Sequence, residues 1–278
     1  MIAALIIMFR EIVEAGLIVG IVLAATRNVP TRNPWIAGGL GAGVAGSVLV
    51  AVFAGAIAGL FEGAGQELFN AAVLALAVVM LVWHNIWMAR HGRELAAEFK
   101  AAGAAVMNGS KTLLALAVVV GVAVLREGAE AVLFLYGVAV SEASSKSEML
   151  TGGFIGVALG AAVSALTYLG LLKIPARHLF AVTTVLLSLL AAGMASQSVD
   201  FLQRAGVTEL FSQQVWDTSA LLSEKSLAGR ALHTLVGYAD RPSLLQLAAW
   251  AGTLLVIYAL TRYFAPGQPA RFQPARAR

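Results

Sequence analysis

The chain contains no cysteine. Disulfides, thiolate metal sites and cysteine nucleophiles are excluded together. It is also poor in charge. Asp, Glu, Lys and Arg make up 12% of its 278 residues, against roughly 25% in an average soluble domain. So small a supply cannot clothe a water-soluble surface. There is no Walker motif, so direct ATP hydrolysis is not expected. Nor are there the short alternating segments of a transmembrane β-barrel.

What the chain has is apolar length. Hydrophobic residues make up 59% of it, and a helix needs roughly 20 such residues to cross a bilayer. Seven stretches qualify: Met1–Ala25, Trp35–Leu60, Leu68–Ala89, Thr112–Val140, Leu150–Leu172, His178–Val199 and Leu244–Phe264. Lipid offers the backbone no hydrogen-bond partner, so the spans must be helical. The predicted fold class is all-α: a polytopic membrane protein with seven transmembrane helices. Met1–Ala25 lacks a basic leader and is interrupted by Arg10, Glu11 and Glu14. It therefore reads as a permanent span rather than a signal peptide. The pI near 9.6 does not imply nucleic acid, because the basic residues are scattered over the loops.

Lys and Arg favour the cytoplasmic side. Alternate loops hold Arg27, Arg32, Arg90, Arg93, Lys100, Lys111, Lys173, Arg177, Arg262, Arg271, Arg276 and Arg278 on one side. On the other lie Lys146, Arg204, Lys225, Arg230 and Arg241. The N-terminus is then expected outside and the C-terminus in the cytoplasm. Most loop acids fall on the outer side, where they would gather cations. Arg90–Lys100 carries Arg90 and Glu94 four apart, and predicts a short interfacial helix on the inner side. The loop Phe201–Ser243 is predicted to lie outside the membrane.

The two halves resemble each other. Arg10-Glu11-Ile12-Val13-Glu14 matches Arg126-Glu127-Gly128-Ala129-Glu130 at an offset of 116, and Gly38-Gly39 matches Gly152-Gly153 at 114. Phe69–Val73 resembles Phe180–Thr184 more weakly. Spans one and four would run in opposite directions, so the expected architecture is a 3+3 inverted repeat plus one extra helix. Its boundaries are 1–110 for the first repeat, 111–200 for the second and 201–243 for the outer loop. Residues 244–264 form the seventh span, which completes a single transmembrane domain over 1–264. Residues 265–278 form a cytoplasmic tail.

A charge at the bilayer centre costs roughly 2.5–3.5 kcal/mol, so two buried Arg-Glu-x-x-Glu motifs require a reason. At about 100° per residue, Arg10, Glu11 and Glu14 share one helix face, as do Arg126, Glu127 and Glu130. Both motifs fall near mid-span. If they meet, Glu11, Glu14, Glu127 and Glu130 supply oxygen ligands for a hard cation. Arg10 and Arg126 reduce the net charge of the site to −2. The same residues could instead lock two helices by salt bridges, or relay protons. Glu62, Glu67, His84 and Asp200 are further candidates near the outer entrance, although a lone His such as His84 commonly serves packing or hydrogen bonding. Gly41-Ala42-Gly43-Val44-Ala45-Gly46 fits a dinucleotide fingerprint but lies inside an apolar span, where close helix packing is the better account. A bundle-type di-iron enzyme would need Glu-x-x-His on two helices, which this chain lacks. Haem has no evident axial pair.

Arg-Glu-x-x-Glu in spans one and four resembles the hallmark of the oxidase-dependent iron permeases, the fungal Ftr-type proteins and their bacterial EfeU-like relatives. Gln66-Glu67-Leu68-Phe69, Trp216–Ser223, Gly237-Tyr238 and Pro242-Ser243 resemble further segments of that family. The chain departs from the family pattern at Ile12-Val13, at Gly128-Ala129, at Asn70 where an acid is common, and at His84 where Met is common. The resemblance implies a transporter rather than an enzyme, placed in a plasma or bacterial inner membrane. Iron is its transported substrate, as Fe³⁺ or Fe²⁺, and no organic cofactor is implied. The partners implied are a periplasmic iron-binding or peroxidase protein (EfeO- or EfeB-like) or a ferroxidase. Proton-coupled transport of another divalent metal, such as lead or manganese, is the alternative, with a carboxylate-iron redox enzyme behind it.

Overall fold

Prolines at 30, 34, 175, 242, 266, 269 and 274 leave every helix free of them beyond its first turn, so the apolar runs can stay helical throughout. The computed structural model describes residues 1–59, 65–141, 145–171, 176–224 and 226–264. Among these it forms α1 (Ile2–Ala25), α2 (Arg32–Gly59), α3 (Gln66–Met107), α4 (Leu113–Ser141), α5 (Lys146–Tyr168), α6 (Ala176–Arg204), α7 (Leu227–Val236) and α8 (Leu244–Phe264). The described residues hold no strand, only an isolated antiparallel bridge from Gln214 to Ser243.

Among the described residues, five helical stretches are long and apolar enough to cross a membrane: Arg32–Ile57, Gln66–Met88, Lys146–Tyr168, Ala181–Arg204 and Leu244–Phe264. Helices α1 and α4 have the length, but each carries three charged residues mid-way. Outward-facing Phe53, Trp83, Phe154 and Leu255 give the bundle an apolar surface of the kind lipid covers. The predicted tail 265–278 lies outside the described residues.

Arg90–Lys100 is not a separate helix. It continues α3, which runs for 42 residues, or about 63 Å at 1.5 Å per residue. Falling hydropathy marks the end of an apolar span, not the end of a helix. Arg93-Glu94-Leu95-Ala96-Ala97-Glu98 are good helix formers, and the extension has its own packing. Phe99 and Val106 join Val22, Ile36, Leu116 and Val120 in one apolar cluster.

Helix α1 packs chiefly on α5, and α2 on α4. Small residues make both contacts close. Gly156 and Gly160 of α5 face Leu5 and Phe9 of α1, and Ser164 faces Gly16. Gly39, Gly43 and Ser47 of α2 face Ala117, Gly121 and Gly128 of α4. In each pair the positions rise together, so α1 runs parallel to α5 and α2 runs parallel to α4. Helix α6 packs on α3 and carries α8.

Two apolar clusters form the core. One holds Ala3 and Ile7 of α1, Leu74 and Leu81 of α3, Phe134 and Val138 of α4, and Met194 of α6. The other holds Ala15 and Val22 of α1 with Leu116, Val120 and Val124 of α4. Residues 10–14 and 126–130 fall between these clusters on their helices.

The expected outer loop contains the last residues of α6 and the short α7. Ser226 caps α7 by accepting the Gly229 amide at 2.9 Å. Gly237 ends it at φ 75°. A side chain there would be strained and would lie 2.5 Å from Gly193 Cα on α6. Trp250 Nε1 of α8 donates to Val236 O at 2.7 Å. The Tyr238 hydroxyl lies 2.6 Å from Thr218 Oγ1 and donates to Leu222 O at 2.8 Å. Asp217 is held below the usual Asp range by the Ser219 hydroxyl and amide, with Arg241 adding to the effect. Tyr238→Phe is expected to loosen this segment by about 1–2 kcal/mol. Hydrogen exchange over residues 217–240 would show it, and unchanged protection would refute it.

Candidate metal site

Helical spacing puts the three charges of each motif on one face, and the bundle brings the two faces together. On α1, Arg10 Nε lies 2.7 Å from Glu14 Oε1, and Arg10 Nη1 lies 3.9 Å from Glu11 Oε1. On α4, Arg126 Nε lies 3.1 Å from Glu130 Oε1. The i,i+4 pair is thus repeated in both motifs. The environments differ. Arg10, Glu11, Glu14 and Glu127 are all buried, whereas the Arg126 side chain keeps 35% of its exposure. Its guanidinium carbon sits 4.0 Å from the centre of the Trp87 ring, a cation–π contact. Trp87 in turn stacks on His91.

His84 of α3 joins the two motifs. Its Nε2 lies 3.4 Å from Glu14 Oε2, and its Nδ1 contacts Glu130 Oε2. The sequence placed it among entrance candidates, yet it stands at the centre of the cluster. Its 17-residue offset from Glu67 corresponds to about 25 Å of helix. One donor atom from each of Glu11, His84, Glu127 and Glu130 lies within 4.8 Å of the others. That is the donor set of an oxygen-rich metal site with one nitrogen.

The other entrance candidates are elsewhere. Glu67 is exposed in the first turn of α3. Asp200 pairs with Arg204 at 2.5 Å on α6. The Ser198 hydroxyl donates to Ala71 O at 2.8 Å, which sets the end of α6 beside the start of α3. Glu67 and Asp200 therefore occupy one end of the bundle, away from the cluster. Glu62 lies outside the described residues.

Sequence reasoning missed Asn85. It is buried beside His84, and its amide nitrogen and oxygen have no hydrogen-bond partner among the described residues. The signal was available, since polar side chains inside apolar spans are rare and tend to be functional. Trp87, the partner of Arg126, carried no such signal.

Fold and site together define a polytopic helical membrane protein with a largely buried carboxylate and histidine layer within its bundle. The sequence pattern of the iron permease FTR1 family matches residues 1–265, and the chain belongs to that family. The ferrous iron permease EfeU of Escherichia coli (strain UTI89 / UPEC) is 30% identical over 265 residues, covering 94% of each chain. The protein of the same name from Shigella sonnei (strain Ss046) is 30% identical over 249 residues, 88% of this chain and 89% of its own. No solved structure matches. The chain is thus a multi-pass membrane permease for iron, a transporter and not an enzyme.

Proposed function

We propose that this protein imports iron across a bacterial inner membrane through the layer built by its two Arg-Glu-x-x-Glu motifs. The observation that carries this reading is their convergence. Two segments more than a hundred residues apart meet at His84, in an interior where an unpaired charge is costly. Glu11, Glu14, Glu127 and Glu130 hold the ion. Arg10 and Arg126 each engage one carboxylate oxygen and keep the empty layer from accumulating four uncompensated charges.

Seven helices cross the membrane in this reading, α1 and α4 among them because their charges face each other rather than lipid. The paired contacts support a 3+3 inverted repeat. Exchanging α1 with α4 and α2 with α5 converts the α1–α5 contact into the α4–α2 contact, and these are the two most extensive in the bundle. Lys and Arg distribution places the N-terminus outside. Glu67 and Asp200 then mark the outer end, with the segment 205–243 over it. Apolar clusters lie on both sides of the layer, so the structure corresponds to a closed state, and an ion enters when one cluster parts. The relatives' names specify ferrous iron, and Fe²⁺ is the form assigned here.

The test is iron uptake by cells expressing Glu14→Ala or Glu130→Ala, with protein levels matched. Both variants are expected to lose uptake to background. Wild-type uptake by both would end this reading.

A further inference from the structure

We propose that His84 is itself a ligand of the transported ion and sets which metal the site accepts. This rests on the reading of the carboxylate layer as the ion site. The two arginines occupy equivalent oxygens: Arg10 takes Oε1 of Glu14, and Arg126 takes Oε1 of Glu130. In each carboxylate the remaining Oε2 is the one that faces His84. The imidazole therefore stands between the halves, in the place where a shared cation would be held by both. It is buried to 2% exposure and rises from α3, which belongs to neither motif helix.

Its chemistry differs from that of its neighbours. Carboxylates alone make a hard site that favours trivalent and alkaline-earth ions, whereas an imidazole nitrogen shifts preference toward borderline divalent ions such as Fe²⁺. One ring nitrogen binds the metal through its lone pair. The other keeps its N–H on a carboxylate, the usual support for a metal-bound histidine. When the ion arrives, the proton shared in one His84–carboxylate contact is released to water, and that contact is exchanged for a metal–nitrogen and a metal–oxygen bond. Phe134, edge-on to the ring with centroids 6.4 Å apart, limits how far the imidazole can turn away.

The experiment uses the full-length, untagged protein. In proteoliposomes, Fe²⁺ uptake is competed with Co²⁺, a borderline divalent ion, and with Ga³⁺, a hard trivalent ion without redox chemistry. In His84→Gln, the potency of Co²⁺ relative to Ga³⁺ is expected to fall roughly tenfold, the scale of losses when a histidine at a metal site is disturbed. X-ray absorption at the cobalt edge gives the second readout. Imidazole scattering should be present in the wild type and absent from His84→Gln. His84→Met serves if the Gln variant fails to assemble, and it too should lack that scattering. An unchanged competition ratio, or imidazole scattering that survives either substitution, overturns the proposal. Glu130→Ala, run alongside, separates the two levels. Uptake that persists there defeats the carboxylate path itself. Loss of uptake there, with an unaltered cobalt spectrum in the His84 variants, defeats only the role given to His84.

Discussion

Replacing Arg10 with methionine is expected to remove most folded protein from the membrane, whereas Arg126→Met should leave most of it in place. Arg10 is 2% exposed and lies 2.7 Å from Glu14. Its loss leaves Glu11 without its nearest cation and Glu14 with only His84, where water does not reach. Breaking a buried pair in this way costs about 3–5 kcal/mol, a large part of a total stability of about 5–15 kcal/mol. Arg126 makes the equivalent pair at 3.1 Å but is one-third exposed. Removing it costs one charge-assisted bond and the contact with Trp87, about 2–4 kcal/mol together before solvent screening of a one-third-exposed group reduces it. The yield of monodisperse protein and its melting temperature in detergent distinguish the two. The double variant Arg10→Met with Glu14→Gln should recover over half of the lost stability. A wild-type melting curve for Arg10→Met would show that the buried charge balance argued here is wrong.

The second large effect is expected at Gly156. A Cβ there would lie 2.5 Å from Leu5 O, 2.9 Å from Met8 Cβ and 3.0 Å from Phe9 N. Two of those three atoms are backbone in the first third of α1, so neither can step aside without moving the helix that carries Arg10, Glu11 and Glu14. Gly156→Leu should therefore force α5 off α1 and abolish both assembly and iron uptake. Gly43→Leu is the matching change in the other half, with Gly121 O and Val124 Cβ each 2.7 Å away. Gly38 is the control, because nothing lies within 4 Å of its Cβ position. Gly38→Leu should be tolerated and gain up to about 1 kcal/mol of helix propensity. Iron uptake by Gly156→Leu at the wild-type rate would refute the close approach of α1 and α5.

The charged motifs were legible because their geometry is local. Spacing alone pairs Arg10 with Glu14 and Arg126 with Glu130, and the same bond is found in both. His84 was visible as a polar residue in an apolar span, but its place was not. Which turn of α3 faces the two motifs depends on packing among α1, α3, α4 and α6, and no short-range pattern encodes that register. For the proposed repeat, sequence comparison pairs the charged motifs at an offset of 116 and Gly38-Gly39 with Gly152-Gly153 at 114, whereas the close contacts of Gly43 with α4 and of Gly156 with α1 fit a glycine pairing one residue less. The close contacts distinguish neighbouring glycines that sequence comparison treats alike. The extension of α3 beyond Arg90 was misread because hydropathy reports solvent, while helix continuity depends on propensity and on Phe99 and Val106 finding partners.

The parallel pairing of α1 with α5 also sets a timetable. The ribosome delivers α1 first, and its principal partner begins only at Lys146. At about 5–20 residues per second, the first helix waits on the order of ten seconds before α5 emerges. For most of that interval Arg10, Glu11 and Glu14 must be sheltered by one another, because His84 of α3 and Glu127 and Glu130 of α4, which they meet in the bundle, have yet to follow. The early bond between Arg10 and Glu14, which needs nothing beyond one turn of α1, lets the nascent helix pair two of its three charges before the rest of the molecule arrives.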